Sequence, residues 1–236
     1  MAPPALLVHG FSSSFAKNWR ELGWVDLLGD AGRSVIGGDL LGHGQAAKPH
    51  DPQAYSGDEG LEALVASWIP EGAEDDPIDA VGFSLGARLL LSVASERRPG
   101  AVGRLVVGGV GENLFVDRNP DALAQALAGE SGGEEVVDPL GRAFLQVGAA
   151  PDQDGKALAA CLRRPQPPLT EEQLGRISIP VLVVIGDRDQ VGNADRLVAA
   201  LPDAKLVTLA GVDHLGTMKG FGFLDAALTF LEAIPT

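Results

Sequence analysis

The chain has 236 residues, 45% of them hydrophobic, enough to bury one large core, so a single α/β domain carrying an insertion is expected. A formal net charge of −14 disfavours nucleic acid and anionic membrane surfaces as partners, since both attract Lys and Arg clusters. The one cysteine, Cys161, excludes an intrachain disulfide framework and offers no metal cluster; no lysine precedes a Ser or Thr, as a phosphate-binding P-loop would require.

The start, Met1-Ala2-Pro3-Pro4, has no basic n-region, and no apolar run approaches membrane-spanning length, so a cytoplasmic protein is the expectation. Strand-like and helix-like segments then alternate, the pattern of a parallel sheet with helices on both faces. A first strand over 5–9 closes on His9-Gly10-Phe11-Ser12-Ser13-Ser14. Trp19, Leu22, Val25 and Leu28 share one stripe of a helix predicted over 15–28, with Gly29 or Gly32 to end it. A second strand over 34–38 leads into Asp39-Leu40-Leu41-Gly42-His43-Gly44, and Leu61, Leu64, Val65 and Trp68 mark a helix stopped by Pro70. Residues 78–83 form a short apolar run between turn signals, which fits a strand buried on both faces. It passes directly into the helical run Leu89, Leu90, Leu91, Val93 and Ala94, ended by Arg97-Arg98-Pro99-Gly100, where cations meet the negative end of the helix dipole. Residues 104–109, 180–186 and 205–210 read as the remaining strands, with helices near 193–201 and 218–233.

Between 110 and 180 the alternation breaks. Helical patterns near 121–128, 139–147 and 156–163 are separated by Gly132-Gly133-Glu134-Glu135 and Pro165-Gln166-Pro167-Pro168. About seventy residues far exceed an ordinary connection, so 111–170 is expected to be a helical insertion beside a core made of 1–110 and 171–236. Its Leu114, Phe115, Leu123, Phe144 and Leu145 are expected first as the insertion's own core and second as pocket lining. Residues 129–135 read as a surface loop, with a lid hinge as the alternative.

The junction Val81-Gly82-Phe83-Ser84-Leu85-Gly86 carries the chemistry. A serine at a strand-to-helix turn is held in a sharp elbow, with the first N–H groups of the helix unpaired beside it. Glycines at 82 and 86 suit an elbow in which a Cβ would strike neighbouring backbone. A serine hydroxyl is a weak nucleophile at neutral pH and needs a base; histidine is the common side chain for that task. His9 and His43 lie in glycine-bounded turns and suggest structural hydrogen bonding, and His50 sits in an exposed polar loop. His214 follows the last strand, on the rim that also carries Ser84. An acid for its other nitrogen comes from Asp187 or Asp189, after the strand at 180–186, or from Glu112. The N–H groups of Phe11 and Leu85 could converge on one oxygen, since the His9 strand is expected beside the Ser84 strand.

Together, His9-Gly10-Phe11, Asp39-Leu40-Leu41-Gly42-His43-Gly44, Gly82-Phe83-Ser84-Leu85-Gly86, Gly186-Asp187-Arg188-Asp189 and Asp213-His214 resemble the α/β-hydrolase superfamily, whose triads follow the order Ser, acid, His along the chain. The resemblance runs from about residue 5 to the C-terminus. It implies an α/β-hydrolase fold: a mostly parallel sheet of about six strands flanked by helices, with a helical cap inserted after the fourth strand. By that likeness Ser84 is the nucleophile, Asp189 the acid and His214 the base, and the Phe11 and Leu85 amides form the oxyanion hole; no metal or organic cofactor is required. Only eight residues precede His9, so the strand at 34–38 becomes a sheet edge, either of a shortened sheet or of a surface for a homodimer. Gly192 stands where a proline is common after the acid.

Haloalkane dehalogenases and epoxide hydrolases of this fold carry an aspartate at the elbow, and Ser84 sets this chain apart from them. The resemblance therefore implies an acyl-enzyme route on a small, uncharged ester or related carbonyl substrate, Arg88 and Arg188 being the cations close to the motifs. Activity is expected to fall in acid, as the imidazole protonates and can no longer accept the serine proton. Two other classes compete: a lyase, acyl transfer or cofactor-free perhydrolysis on the same constellation, resembling the non-haem haloperoxidases or the lyase of menaquinone synthesis, and a ligand-binding protein on the same fold.

Overall fold

The computed structural model describes residues 2–117, 119–130 and 139–234. The Gly132 to Glu135 break and most of the 129–135 segment lie outside these residues. Six strands make one sheet: β1 (Ala5–Val8), β2 (Val35–Ile36), β3 (Ile78–Phe83), β4 (Val102–Gly108), β5 (Val181–Gly186) and β6 (Ala204–Leu209). Their spatial order is β2-β1-β3-β4-β5-β6, and every pairing is parallel. The helices are α1 (Trp24–Asp30), α2 (Leu61–Trp68), α3 (Leu85–Ser92), α4 (Asp121–Ala128), α5 (Pro139–Gly148), α6 (Gly155–Arg163), α7 (Glu171–Leu174), α8 (Asp195–Ala200), α9 (His214–Lys219) and α10 (Phe221–Phe230).

Strand periodicity sorts the core into two layers. Leu6, Val8, Ala80, Val107, Val183 and Ile185 face one side, where Leu61 and Val65 of α2, Leu89 of α3 and Leu197 of α8 cover them. Ala5, Leu7, Val81, Phe83, Val106 and Val184 face the other, under Trp24 and Leu28 of α1 and Phe223 and Leu228 of α10. With helices on both faces, β3 and β5 are buried at every position, which is why they read as continuous apolar runs.

Several boundaries differ from the sequence expectation. The helix over 15–28 is two pieces, a wide turn over Ala16–Arg20 closed by Glu21 N–H to the Ala16 carbonyl, then α1. Gly23 separates them with φ 80, a left-handed value that no interior helical residue holds. The strand expected over 34–38 pairs only as Val35–Ile36, because the chain beyond it bends so that the Asp39 carboxylate accepts the N–H groups of Phe15 and Gln45. The helix over 218–233 starts earlier, at His214, and breaks at Gly220 into α9 and α10.

Between β4 and β5 the described residues carry helical segments and no strand. The expected separate core is not separate: Leu114, Leu140 and Leu158 join the apolar cluster on the α2–α3 side of the sheet. The Arg88 guanidinium donates to the Pro167 carbonyl, and Leu169 N–H to the Leu114 carbonyl at 2.8 Å. Lys17 pairs with Asp152 at 2.7 Å and His50 with Asp154 at 3.0 Å. His50 is thus exposed, as expected, yet engaged with the cap residue of α6. Among the described residues no helix is long and apolar enough to cross a membrane.

Candidate active site

Ser84 stands between β3 and α3 with φ 51 and ψ −109, a strained region for a residue with a Cβ. The surroundings enforce it. Its N–H donates to the Gly108 carbonyl of β4 at 2.8 Å, and its carbonyl accepts the Arg88 N–H at 3.1 Å. A Cβ on Gly86 would stand 2.1 Å from the Val8 carbonyl oxygen, and one on Gly82 would stand 2.7 Å from the Ala87 nitrogen. The two glycines let β1 and α3 close around the turn, and the strained serine is what protrudes.

His214 opens α9, directly after its cap residue Asp213, whose carboxylate accepts the Gly216 N–H at 2.7 Å. The imidazole lies with Nε2 at 3.0 Å from Ser84 Oγ and Nδ1 at 2.9 and 3.0 Å from the two Asp189 oxygens. An ionised carboxylate only accepts, so Nδ1 carries the proton and the Nε2 lone pair is left to face the serine hydroxyl. The ring is 1% exposed, with Phe83 at 5.0 Å and Phe144 at 6.0 Å between ring centres. That enclosure leaves little water to screen the Asp189 carboxylate from the ring.

Asp189 is held in turn by the Val191 N–H at 3.1 Å and by its own N–H to the Gly186 carbonyl at 3.1 Å. The missing proline has a physical reason: Gly192 takes φ 88, which a proline ring near −65° cannot reach. The structure brings Asp189, and neither Asp187 nor Glu112, to the imidazole. Asp187 accepts the Gly211 N–H at 2.7 Å, the loop-capping alternative, and Glu112 faces Arg196 at the surface.

His9 and His43 do not approach Ser84 as bases. His9 donates from Nδ1 to the Gly10 carbonyl at 2.8 Å and accepts the Leu40 N–H on Nε2 at 2.9 Å, sewing β1 to the Asp39 loop. Burial, opposed by the Gly10 bond and the Asp39 charge, lowers its pKa to about 4. Burial and then the charges of His9 and Arg164 lower that of His43 to about 3. Two supports escaped the sequence reading. Asn18 accepts the Gly10 N–H on its Oδ1 at 2.9 Å, and Asp39 clamps the same turn through Phe15. Asp39 carried a signal, an Asp before a glycine turn; Asn18 carried none.

Ser84, His214 and Phe11 open on a cavity of about 420 Å³ that is also lined by Phe144, Val147 and Met218. Phe144 is therefore pocket lining, the second of its two expected roles, because α5 lies over the elbow. Lys17, already paired with Asp152, and Lys219 border the cavity; both lie far from the sequence motifs that carry Arg88 and Arg188. The Leu85 N–H opens α3, where no intrahelical acceptor exists, and Phe11 lies in the loop after β1, the strand paired with β3. Among the described residues no group of three His, Cys, Asp or Glu side chains is placed to hold a metal ion.

Residues 5–229 match the model of the Alpha/beta hydrolase family. A haloalkane dehalogenase of Mycolicibacterium paratuberculosis is 30% identical over 232 residues, covering 86% of this chain and 73% of that protein. In fold the chain is similar to MenH from S. aureus, with TM-score 0.74 and 17% identity over 98% of this chain and 93% of that one. It is similar too to a bromoperoxidase from Bacillus anthracis, with TM-score 0.67 and 21% identity over 98% and 92%.

Proposed function

We propose that this chain, which belongs to the alpha/beta hydrolase family, is a serine hydrolase that cleaves a small ester or related carbonyl substrate through an acyl-enzyme. One observation carries the reading: a hydroxyl and an imidazole that line one cavity are in hydrogen-bond contact at 3.0 Å, with a carboxylate on the second ring nitrogen. His214 takes the Ser84 proton as Oγ adds to the substrate carbonyl. The Phe11 and Leu85 N–H groups receive the oxyanion, each such donor contributing about 10²–10³ in rate. His214 then returns the proton to the leaving oxygen, next deprotonates the water that attacks the acyl carbon, and gives that proton back to Ser84 Oγ as its bond to the acyl carbon breaks and the acid leaves. Residues 111–170 act as a cap that shapes the cavity.

Similarity to a haloalkane dehalogenase does not carry that reaction over. Displacement of halide by a carboxylate leaves an ester, whose carbonyl water can attack; displacement by the Ser84 alkoxide would leave an alkyl ether, which has none. The carbonyl chemistry is the one a serine elbow can complete. A fluorophosphonate should label Ser84, and p-nitrophenyl butyrate should be turned over by the wild type and not by a folded Ser84→Ala variant. Turnover retained in that variant sinks the assignment, and labelling without turnover of any ester shifts weight to a lyase, transferase or perhydrolase outcome on the same residues.

A further inference from the structure

Phe144 lies between two cavities. One face of its surroundings is the 420 Å³ space that holds Ser84; on the other, among the described residues, is a cavity of about 700 Å³ bordered by Leu123, Leu140, Leu162 and Arg164. Phe144 is the one described side chain common to both linings. Its ring stands edge-on to Phe11 at 5.3 Å and to His214 at 6.0 Å, so it forms part of the wall between the Ser84 space and the second cavity. An aromatic wall packed this way has two consequences. It removes length from the first cavity, and it separates that cavity from a second, open space large enough to hold that length.

We infer that Phe144 sets the longest substrate arm the site accepts, confining the enzyme to short-chain esters and keeping the second cavity out of use. The inference rests on the serine-hydrolase reading and narrows it to a substrate class. On the far side Leu123, Leu140 and Leu162 would line an arm extended past a smaller residue, with the polar Asn113, Arg164 and Gln166 on the same cavity. Each methylene buried there is worth roughly a threefold to fourfold gain, so an arm longer by several methylenes gains at least about tenfold.

The test compares p-nitrophenyl esters from acetate to dodecanoate in the wild type, Phe144→Ala and Phe144→Trp, each checked for folding by its thermal transition. The ratio of kcat/KM for dodecanoate to that for butyrate should rise at least about tenfold in Phe144→Ala and should not rise in Phe144→Trp. In a second arm that needs no turnover, straight-chain methyl ketones are titrated calorimetrically into Ser84→Ala protein with and without Phe144→Ala; only the long ketones should tighten. If Phe144→Ala fails to fold, Phe144→Leu carries both arms with a smaller expected rise. Equal effects on short and long chains, in turnover or in ketone binding, overturn the inference. A wild type that hydrolyses no ester of the series speaks against the serine-hydrolase reading, while the ketone titration still decides the role of Phe144.

Discussion

Asp189 makes and breaks no bond in the proposed reaction; its work is done through the proton it keeps on Nδ1 of His214. Asparagine has the same shape and can donate, which would favour the tautomer with the proton on Nε2, facing Ser84. Asp189→Asn should therefore lower kcat for a good ester by about 10⁴-fold with KM little changed, as steady-state kinetics will read; a loss under tenfold would leave Asp189 a structural residue. His9 and His43 act on stability instead. Their pKa values in the fold, about 4 and about 3, lie below the ordinary 6.5, so the folded chain favours the neutral rings. That advantage is complete above the unfolded value and is lost as pH falls from about 6.5 toward 4 and then 3. Urea midpoints should drop steadily across that window, and a flat profile would show that protonation of these rings does not limit the fold. At this scale much was legible: Gly-x-Ser-x-Gly and Asp213-His214 announce themselves by residue type. Asn18 does not, because an asparagine in a helical stretch looks the same whether or not its amide holds the Gly10 N–H.

The elbow depends on how closely two elements approach. With the Val8 carbonyl only 2.1 Å from the ideal Cβ position of Gly86, even one methyl must push β1 and α3 apart. Gly86→Ala should lose nearly all soluble, folded protein or, where folded, displace Ser84 Oγ from the imidazole. Wild-type fluorophosphonate labelling in that variant would contradict this account. The strand cores were readable from periodicity, and β3 and β5 stand where the apolar runs lie. The breaks were not. Gly23 resembles any tolerated helical glycine until its φ is known, and the end of β2 is decided by Asp39, which belongs to a loop contact with Phe15 twenty-four residues away in sequence.

Across the whole molecule, one buried ion pair ties distant parts of the chain. Arg33, its side chain 3% exposed, pairs with Asp79 on β3 and donates to the carbonyls of Pro3 and Leu231. Burial raises the Asp79 pKa against the opposing pull of Arg33, so the carboxylate depends on its partner. Arg33→Met strips that partner away and should cost about 3–5 kcal/mol in urea unfolding; a cost below about 1 kcal/mol would place the pair among the dispensable ones. Strand order was beyond periodicity, because β1 in the middle of β2-β1-β3 is a fact about pairing between segments more than sixty residues apart. From the resemblance came only the edge position of the strand at 34–38, where β2 lies.

The Ser84 hydroxyl and the His214 ring beside it are 130 residues apart along the chain, with the whole 111–170 segment between them. On the ribosome, the strand bearing the hydroxyl emerges and can pair with β1 long before β5 and β6 exist. In the proposed reaction, the nascent chain would therefore carry a serine without its base until β5 and β6 have docked.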